Sequence, residues 1–318
     1  LSPSSAASDV YKRQTNIPTS FRFIASISTF DYYKKDKLFS RNDKPSFNSK
    51  DERFVKLMVA LPFLANKRAE FSLGYGQLED NYFQSSVIDF DKDRSDRSTY
   101  KLLGGSIGFY GSTLNTRQYA TKGYLEKLIA QVFTGRERFE PGNPQEGYSP
   151  SPQERQSWLQ ISYMKEAYHT MGPKFTLGWM AEALYSSKNF SENYTATMMQ
   201  AGEFAPTPHS KLMYNEAFRA NQYVAAGIKP IYVLNDMFQF RTEFYGFTPI
   251  FPIKKNALNK AYYGKAFSRF EYMGEVSVIC HLPFGAISAY VNHYSSPRRE
   301  WNVGMTIGWQ LFNYRFVE

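Results

Sequence analysis

Cysteine is nearly absent: Cys280 is the only one among 318 residues. A single thiol excludes an internal disulfide framework and a cysteine-rich zinc site. Histidine is also scarce, and the four present (His169, His209, His281, His293) show no metal-ligand spacing. Long apolar runs are missing, and nothing approaches the ~18 consecutive apolar residues that a membrane helix requires, so a helical membrane protein is excluded. The mean hydropathy is -0.48. Against that polar average stand 24 Tyr and 27 Phe, with 17% aromatic residues. Disordered chains are poor in aromatics, and a soluble enzyme so rich in them would be more hydrophobic overall. At roughly 150 residues per domain, the length suits two ordinary domains or one large one.

The polarity alternates with period two. Trp301, Val303, Met305, Ile307, Trp309 and Leu311 are apolar, while Asn302, Gly304, Thr306, Gly308 and Gln310 between them are polar or small. Phe175 to Tyr185, Phe238 to Phe244, Val55 to Leu61 and Phe71 to Tyr75 repeat the pattern, with charged or small residues such as Glu182, Arg241, Glu243, Lys56 and Gly74 on the other face. Weaker versions lie near 21–30, 100–110, 124–134, 158–166, 223–233, 272–281 and 285–293. That predicts about twelve strands and no amphipathic helix. One face of each strand suits lipid and the other a wet lumen, the pattern of an antiparallel transmembrane β-barrel.

The connections fall into two sizes that alternate. Tight turns are expected near 62–69, 112–122, 168–173, 234–237 and 282–285; long polar loops near 32–51, 79–99, 135–156, 186–219 and 249–262, with a shorter one at 294–300. Short periplasmic turns alternating with long extracellular loops are usual in outer-membrane barrels, and both chain ends fall on the periplasmic side. Tyr and Trp recur at predicted strand ends (Tyr32, Tyr33, Tyr75, Tyr82, Tyr185, Tyr232, Tyr262, Tyr263, Trp301, Tyr314), as interfacial girdles require. A soluble all-β protein would instead concentrate its aromatics in a core.

Residues 1–14, LSPSSAASDVYKRQ, match the translation of a transposase end sequence used in DNA library preparation and are read as a sequencing-adapter scar. Excluding them lowers the formal net charge from +9 to +8, since Lys12 and Arg13 go with Asp9. Residues 15–318 then form one barrel domain, entered in mid-protein and ending in a native C-terminus. The residual positive charge is spread over loops and strand ends, which favours anionic lipid headgroups over nucleic acid.

Three stretches resemble the BamA-like outer-membrane barrels, and within them the barrels joined to patatin-like phospholipases. Ser112 to Tyr124, with Thr121, Lys122, Gly123 and Tyr124 at its end, is similar to a strand-turn-strand segment in which a D-T-R-D-like run leads to P-T-R-G; Lys122 replaces Arg and Ala120 replaces Pro. Gly123 fits a position demanding positive φ or close backbone approach. Phe218-Arg219-Ala220-Asn221-Gln222-Tyr223 resembles the V-R-G-F/Y motif of a loop folded into the barrel, with Ala220 for the glycine. The resemblance implies that Arg219 pins this loop to lumen acids, with Glu243 or a neighbouring acid as its partner. Ala266 to Tyr294, with the strand from Trp301, looks like the closing hairpins of patatin-linked barrels. Five predicted strands follow the 186–219 loop, as in a sixteen-stranded barrel of that superfamily. Seven precede it where eleven are expected, so twelve strands of sixteen would be present.

Catalytic chemistry has little support. Gly104-Gly105-Ser106-Ile107-Gly108 matches G-x-S-x-G, but the nucleophile elbow needs strand, turn and helix. The surrounding run alternates as a strand, so a small-residue stripe giving room to the inward loop is the better account. His293-Tyr294-Ser295 and His209-Ser210 lack an evident third partner for a triad, and solvated histidines are expected. Arg241 and Glu243 lie two apart, and Lys174 and Glu182 eight apart, so each pair shares a face, which should point inward because an Arg or Lys facing lipid costs ~2–4 kcal/mol at midplane. No catalytic, metal or cofactor site is assigned.

By this resemblance the chain is the barrel of a patatin-like phospholipase in a Gram-negative outer membrane. It would anchor, and in one version export, a hydrolase domain carrying a Ser-Asp dyad outside this sequence. The implied partners are outer-membrane lipid and the barrel-assembly machinery during insertion; nucleic acid is not among them, and homo-oligomerisation is left open. A non-enzymatic assembly or translocation barrel, and a stand-alone porin-like barrel, are the alternatives.

Overall fold

Alternating side chains build one antiparallel sheet in the computed structural model, which describes residues 19–33, 47–84, 93–143, 154–211, 213–282, 285–296, 301–308 and 315–317. Its twelve strands are β1 (Ser20–Tyr33), β2 (Phe47–Leu64), β3 (Lys67–Tyr82), β4 (Asp96–Ser112), β5 (Gly123–Glu140), β6 (Glu154–Thr170), β7 (Phe175–Ser186), β8 (Gln222–Val233), β9 (Phe238–Pro249), β10 (Glu271–Leu282), β11 (Gly285–Tyr294) and β12 (Trp301–Gly308). They pair in sequence order from β1 to β12. No ladder joins β1 to β12 among the described residues.

Each predicted strand is present, and several run further than polarity alone suggested. β2 begins at Phe47, β3 continues to Tyr82 and β5 to Glu140, inside segments expected to be loops. Beyond the apolar band both faces of these strands carry polar residues, so the hydropathy contrast vanishes while the hydrogen-bond ladder continues. The alternation of loop sizes holds. Ala65-Asn66, 113–122, 171–174 and 234–237 connect one end, and the chain crosses the other end at 34–46, 83–95, 141–153, 187–221, 250–270 and 295–300. At 234–237, where a tight turn was expected, the Asn235 side chain accepts from Met237 N and Phe238 N in an Asx turn.

The outward face is apolar. Leu57, Leu73, Ile107, Phe240, Phe244 and Val303 all stand exposed. Exposed large apolar side chains occur on every one of the twelve strands, as a lipid-facing barrel wall requires. Their chain neighbours Lys56, Gly74, Gly108, Arg241 and Glu243 point inward and are buried. Trp301, Tyr185 and Tyr232 lie exposed at strand ends. Tyr82 does not: it takes an inward position on β3, fully buried and hydrogen bonded to Ser98 and Asn193. Tyr32, Tyr33 and Tyr314 have side chains outside the described residues. Lys174 is also displaced from expectation, since it is exposed in the turn before β7 rather than inward beside Glu182.

Among the described residues no helix is long and apolar enough to cross a membrane. The α-helix among the described residues, α1 (Tyr194–Gln200), was not legible in the sequence because seven residues with Thr195 to Met199 all buried carry no amphipathic stripe.

Candidate functional site in the barrel interior

Three pieces of chain occupy the interior among the described residues. The first is the 113–122 turn, which closes on itself. Asn115 Oδ1 accepts from the backbone of Thr121 and Lys122, and its amide donates to Thr121 Oγ1. Thr113 N donates to Tyr124 O, while Tyr124 N donates back to Thr113 Oγ1. Gly123 sits at φ +89°, and a Cβ there would collide with the Thr113 carbonyl oxygen. Tyr119 at the tip also adopts positive φ, 56°, a conformation held only where surrounding contacts dictate it.

Those contacts come from strands on the far wall. Tyr119 Oη donates to Ser288 Oγ on β11 at 2.8 Å, and its carbonyl accepts from Gln239 Nε2 on β9 at 3.1 Å. Arg241 Nη1 donates to Ala120 O at 2.9 Å, while its other nitrogens hold Glu243 at 2.9–3.0 Å. Tyr245 Oη completes the Glu243 carboxylate at 2.6 Å. Lys229 pairs with Glu166 at 2.8 Å just beside it. A turn expected to be tight therefore spans the lumen at the short-turn end, and Arg241 with Glu243 is its far anchor.

The second piece is 187–221, the segment between β7 and β8. Lys188 is buried over the rings of Tyr100 and Trp158, 4.6 and 4.8 Å from their centroids, and donates to Gln200. Burial lowers its ammonium to about 8, against the opposing pull of Glu137 and Asp80. Asn193 caps α1 by accepting from Ala196 N and donates to Tyr82 Oη. Farther along, Phe204 and Phe218 pack on Phe247, Tyr223 and Tyr294 of the wall. His209 is buried, with Nδ1 3.0 Å from Tyr294 Oη and 2.8 Å from Asn292 Nδ2. It is a plug-to-wall contact and not the solvated histidine that its loop position suggested.

Arg219 is buried here as well. Its guanidinium lies 2.8 Å from Glu203 Oε1, donates to the carbonyls of Met199 and Ala201, and stacks over Tyr214. Glu203 belongs to the same inward segment and pairs with it in a short ladder, Gly202↔Ala220 and Glu203↔Arg219. Arg219 thus fastens the segment to itself. Glu243, which sequence reasoning offered as its partner, is taken by Arg241 two residues away.

The third piece is the described tail, 315–317. Phe316 is 1% exposed against Phe54 and Phe133. Gly74 and Gly76 on β3 leave the room for the Phe316 ring, which lies 3.1 Å from where a Cβ on either would stand; of the predicted stripe at 104, 106 and 108 only Gly104 comes near it, at 3.4 Å, with Phe133 closer, while Gly108 faces Tyr110. Phe316 N donates to Glu52, Lys56 donates to Arg315 O, and Arg315 reaches Glu203 at 3.7 Å. Sequence reasoning missed this piece because the pattern from Trp301 onward reads as an uninterrupted strand; 309–314 lie outside the described residues.

The G-x-S-x-G run forms no nucleophile elbow: Ser106 lies inside β4, which continues to Ser112, and its Oγ meets Ser72 Oγ at 2.6 Å. Among the described residues no group of His, Cys, Asp and Glu is placed to hold a metal ion.

No protein-family model matches the chain, and no curated protein does. Among solved structures it is similar to BamA from Haemophilus ducreyi lacking POTRA domains 1–3, with a TM-score of 0.56 at 11% identity over 91% of this chain and 57% of that one. The transport unit of the autotransporter AIDA-I from Escherichia coli aligns over 95% of both chains at 11% identity with a TM-score of 0.38. The Bordetella autotransporter BrkA β domain gives 0.37 at 10% identity, over 90% of this chain and 95% of that one. The chain spans a little over half the BamA chain it matches, and the likeness establishes its fold, an all-β antiparallel sheet of the outer-membrane barrel type.

Proposed function

We propose that this chain is an outer-membrane barrel with a sealed interior, which holds an attached patatin-like phospholipase at the membrane. The observation that carries the anchoring role is the pairing of an apolar outward face with an interior filled by 113–122, 187–221 and 315–317. A wall soluble in hydrocarbon and a lumen occupied by these segments suit an anchor better than a porin. The hydrolase rests on the resemblance of Ala266 to Tyr294 and the Trp301 strand to the closing hairpins of patatin-linked barrels. Residues 15–318 contribute the barrel domain, and both of its ends lie on the short-turn, periplasmic side. Lipid satisfies no backbone group, so in this reading β1 and β12 are paired at membrane depth. Insertion by the barrel-assembly machinery follows from the same fold.

The reading is tested in two steps. Residues 15–318 reconstituted in a planar bilayer should give no steady ion conductance and no phospholipid hydrolysis, and the longer product of the same gene should hydrolyse phospholipid. A stable open channel contradicts the sealed anchor. Hydrolysis by residues 15–318 that disappears in Ser106→Ala contradicts the placement of the chemistry elsewhere.

A further inference from the structure

Register across β2 to β6 sorts the outward side chains into rows. Arg53 faces Gln77, Gln77 faces Lys101, Lys101 faces Arg136, and Arg136 faces Arg155. This row holds four cations and no acid, and all four are exposed. None has a carboxylate partner among the described residues; Arg155 makes only a 3.4 Å contact to Thr134 Oγ1. Nearer the loops the pattern differs. Arg97 is paired with Glu79 and Glu140, and Arg138 with Glu140. Acids are therefore at hand on this wall, yet they are spent on other arginines.

The next four outward rows contain no charge. They run from Val55, Tyr75, Leu103, Thr134 and Ser157 down to Leu61, Ala69, Phe109, Leu128 and Tyr163. Below them charge returns with Lys67, Glu126 and Lys165, and here Lys165 pairs with Glu126 at 3.5 Å. Ten residues separate the two charged rows along β3 to β6. At ~3.4 Å per residue that is roughly 34 Å along a strand, or about 25 Å along the membrane normal at the usual barrel tilt, the height of an outer-membrane apolar band. The cation row therefore lies where hydrocarbon gives way to headgroups, on the long-loop side.

Lys101, Arg136 and Arg155 stand directly opposite one another on adjacent strands. Like charges so placed repel and destabilise the ladder, and burying them inward or pairing them with acids would have removed the cost. An anion bridging them from outside removes it too. We propose that Arg53, Lys101, Arg136 and Arg155 form a docking row for the phosphate groups of lipid headgroups on the long-loop side of the membrane. With strands about 4.8 Å apart, the row is roughly 19 Å wide, enough for a headgroup bearing more than one phosphate. The proposal rests on the membrane reading above, since the same residues on a soluble sheet would meet only water.

The test uses the barrel in phosphatidylcholine vesicles with and without lipid A, a glycolipid bearing two phosphates. Two variants are compared with the parent: one carrying R53Q, K101Q, R136Q and R155Q, and a control carrying K254Q, K255Q and K265Q on the 250–270 loop. Lipid A retained by the re-extracted barrel is measured by mass spectrometry, with inorganic phosphate added as competitor. One cation near an anionic surface is worth about fivefold in affinity, so the row variant should retain at least ~10-fold less lipid A while the control retains the parent amount. Equal retention by parent and row variant, equal loss in the control, or displacement by millimolar inorganic phosphate overturns the proposal. If the parent enters neutral vesicles normally, such a result leaves the membrane reading standing. A parent that enters no vesicle removes both.

Discussion

Two buried arginines divide the work that one was expected to do. Arg219 could be singled out from the sequence, because an arginine just before a strand and after the longest loop resembles a known pinning motif. Its partner was not legible: Glu203 sits sixteen residues earlier in the loop, where no periodicity marks which acids turn back. The pair is enclosed, with side chains 4% and 10% exposed. Removing one partner of a buried pair costs about 3–5 kcal/mol, since the other charge is left stranded. Arg219→Glu should therefore lower the midpoint of the heat-modifiable gel transition, and adding Glu203→Arg should recover part of the loss. Both variants melting like the parent would show that the segment is held by its aromatic packing alone.

At the scale of elements, the twelve strands were readable because a wall between lipid and a packed interior forces alternation at every position. The connections were readable only in length. What 113–122 does depends on contacts to β9 and β11, more than a hundred residues away, which local patterning does not encode. Gly123 is where sequence and structure meet: the position demands left-handed backbone and tolerates no Cβ toward Thr113. Gly123→Ala should cost about 1–3 kcal/mol through backbone strain, and more if the collision is not relieved. The expected signature is local, with faster proteolysis at 116–119 and barrel assembly preserved. Unchanged proteolysis would mean that the cap is not held by its own neck. Of the predicted small-residue stripe only Gly104 borders the tail, and the tail's Phe316 could not be deduced from a run that looks like one continuous strand.

For the whole molecule, the decisive property is which side of the sheet meets hydrocarbon. The lumen expected to be wet also holds packed chain, in which ion pairs such as Arg241–Glu243 and Lys229–Glu166 lie beside aromatic clusters. Fold and sidedness do not depend on that difference, because the outward alternation is unaffected by what fills the centre. They can be measured strand by strand. With Cys280 replaced by alanine, single spin labels are placed at Leu57, Leu73, Ile107 and Val132, and at the neighbouring positions Met58, Ser72, Ser106 and Gln131, in the reconstituted barrel. The outward set should be relaxed strongly by oxygen dissolved in the bilayer and weakly by a water-soluble nickel chelate, while the inward set responds weakly to oxygen. Equal oxygen response on both faces, or strong nickel relaxation at the outward positions, would contradict a sheet that spans the membrane.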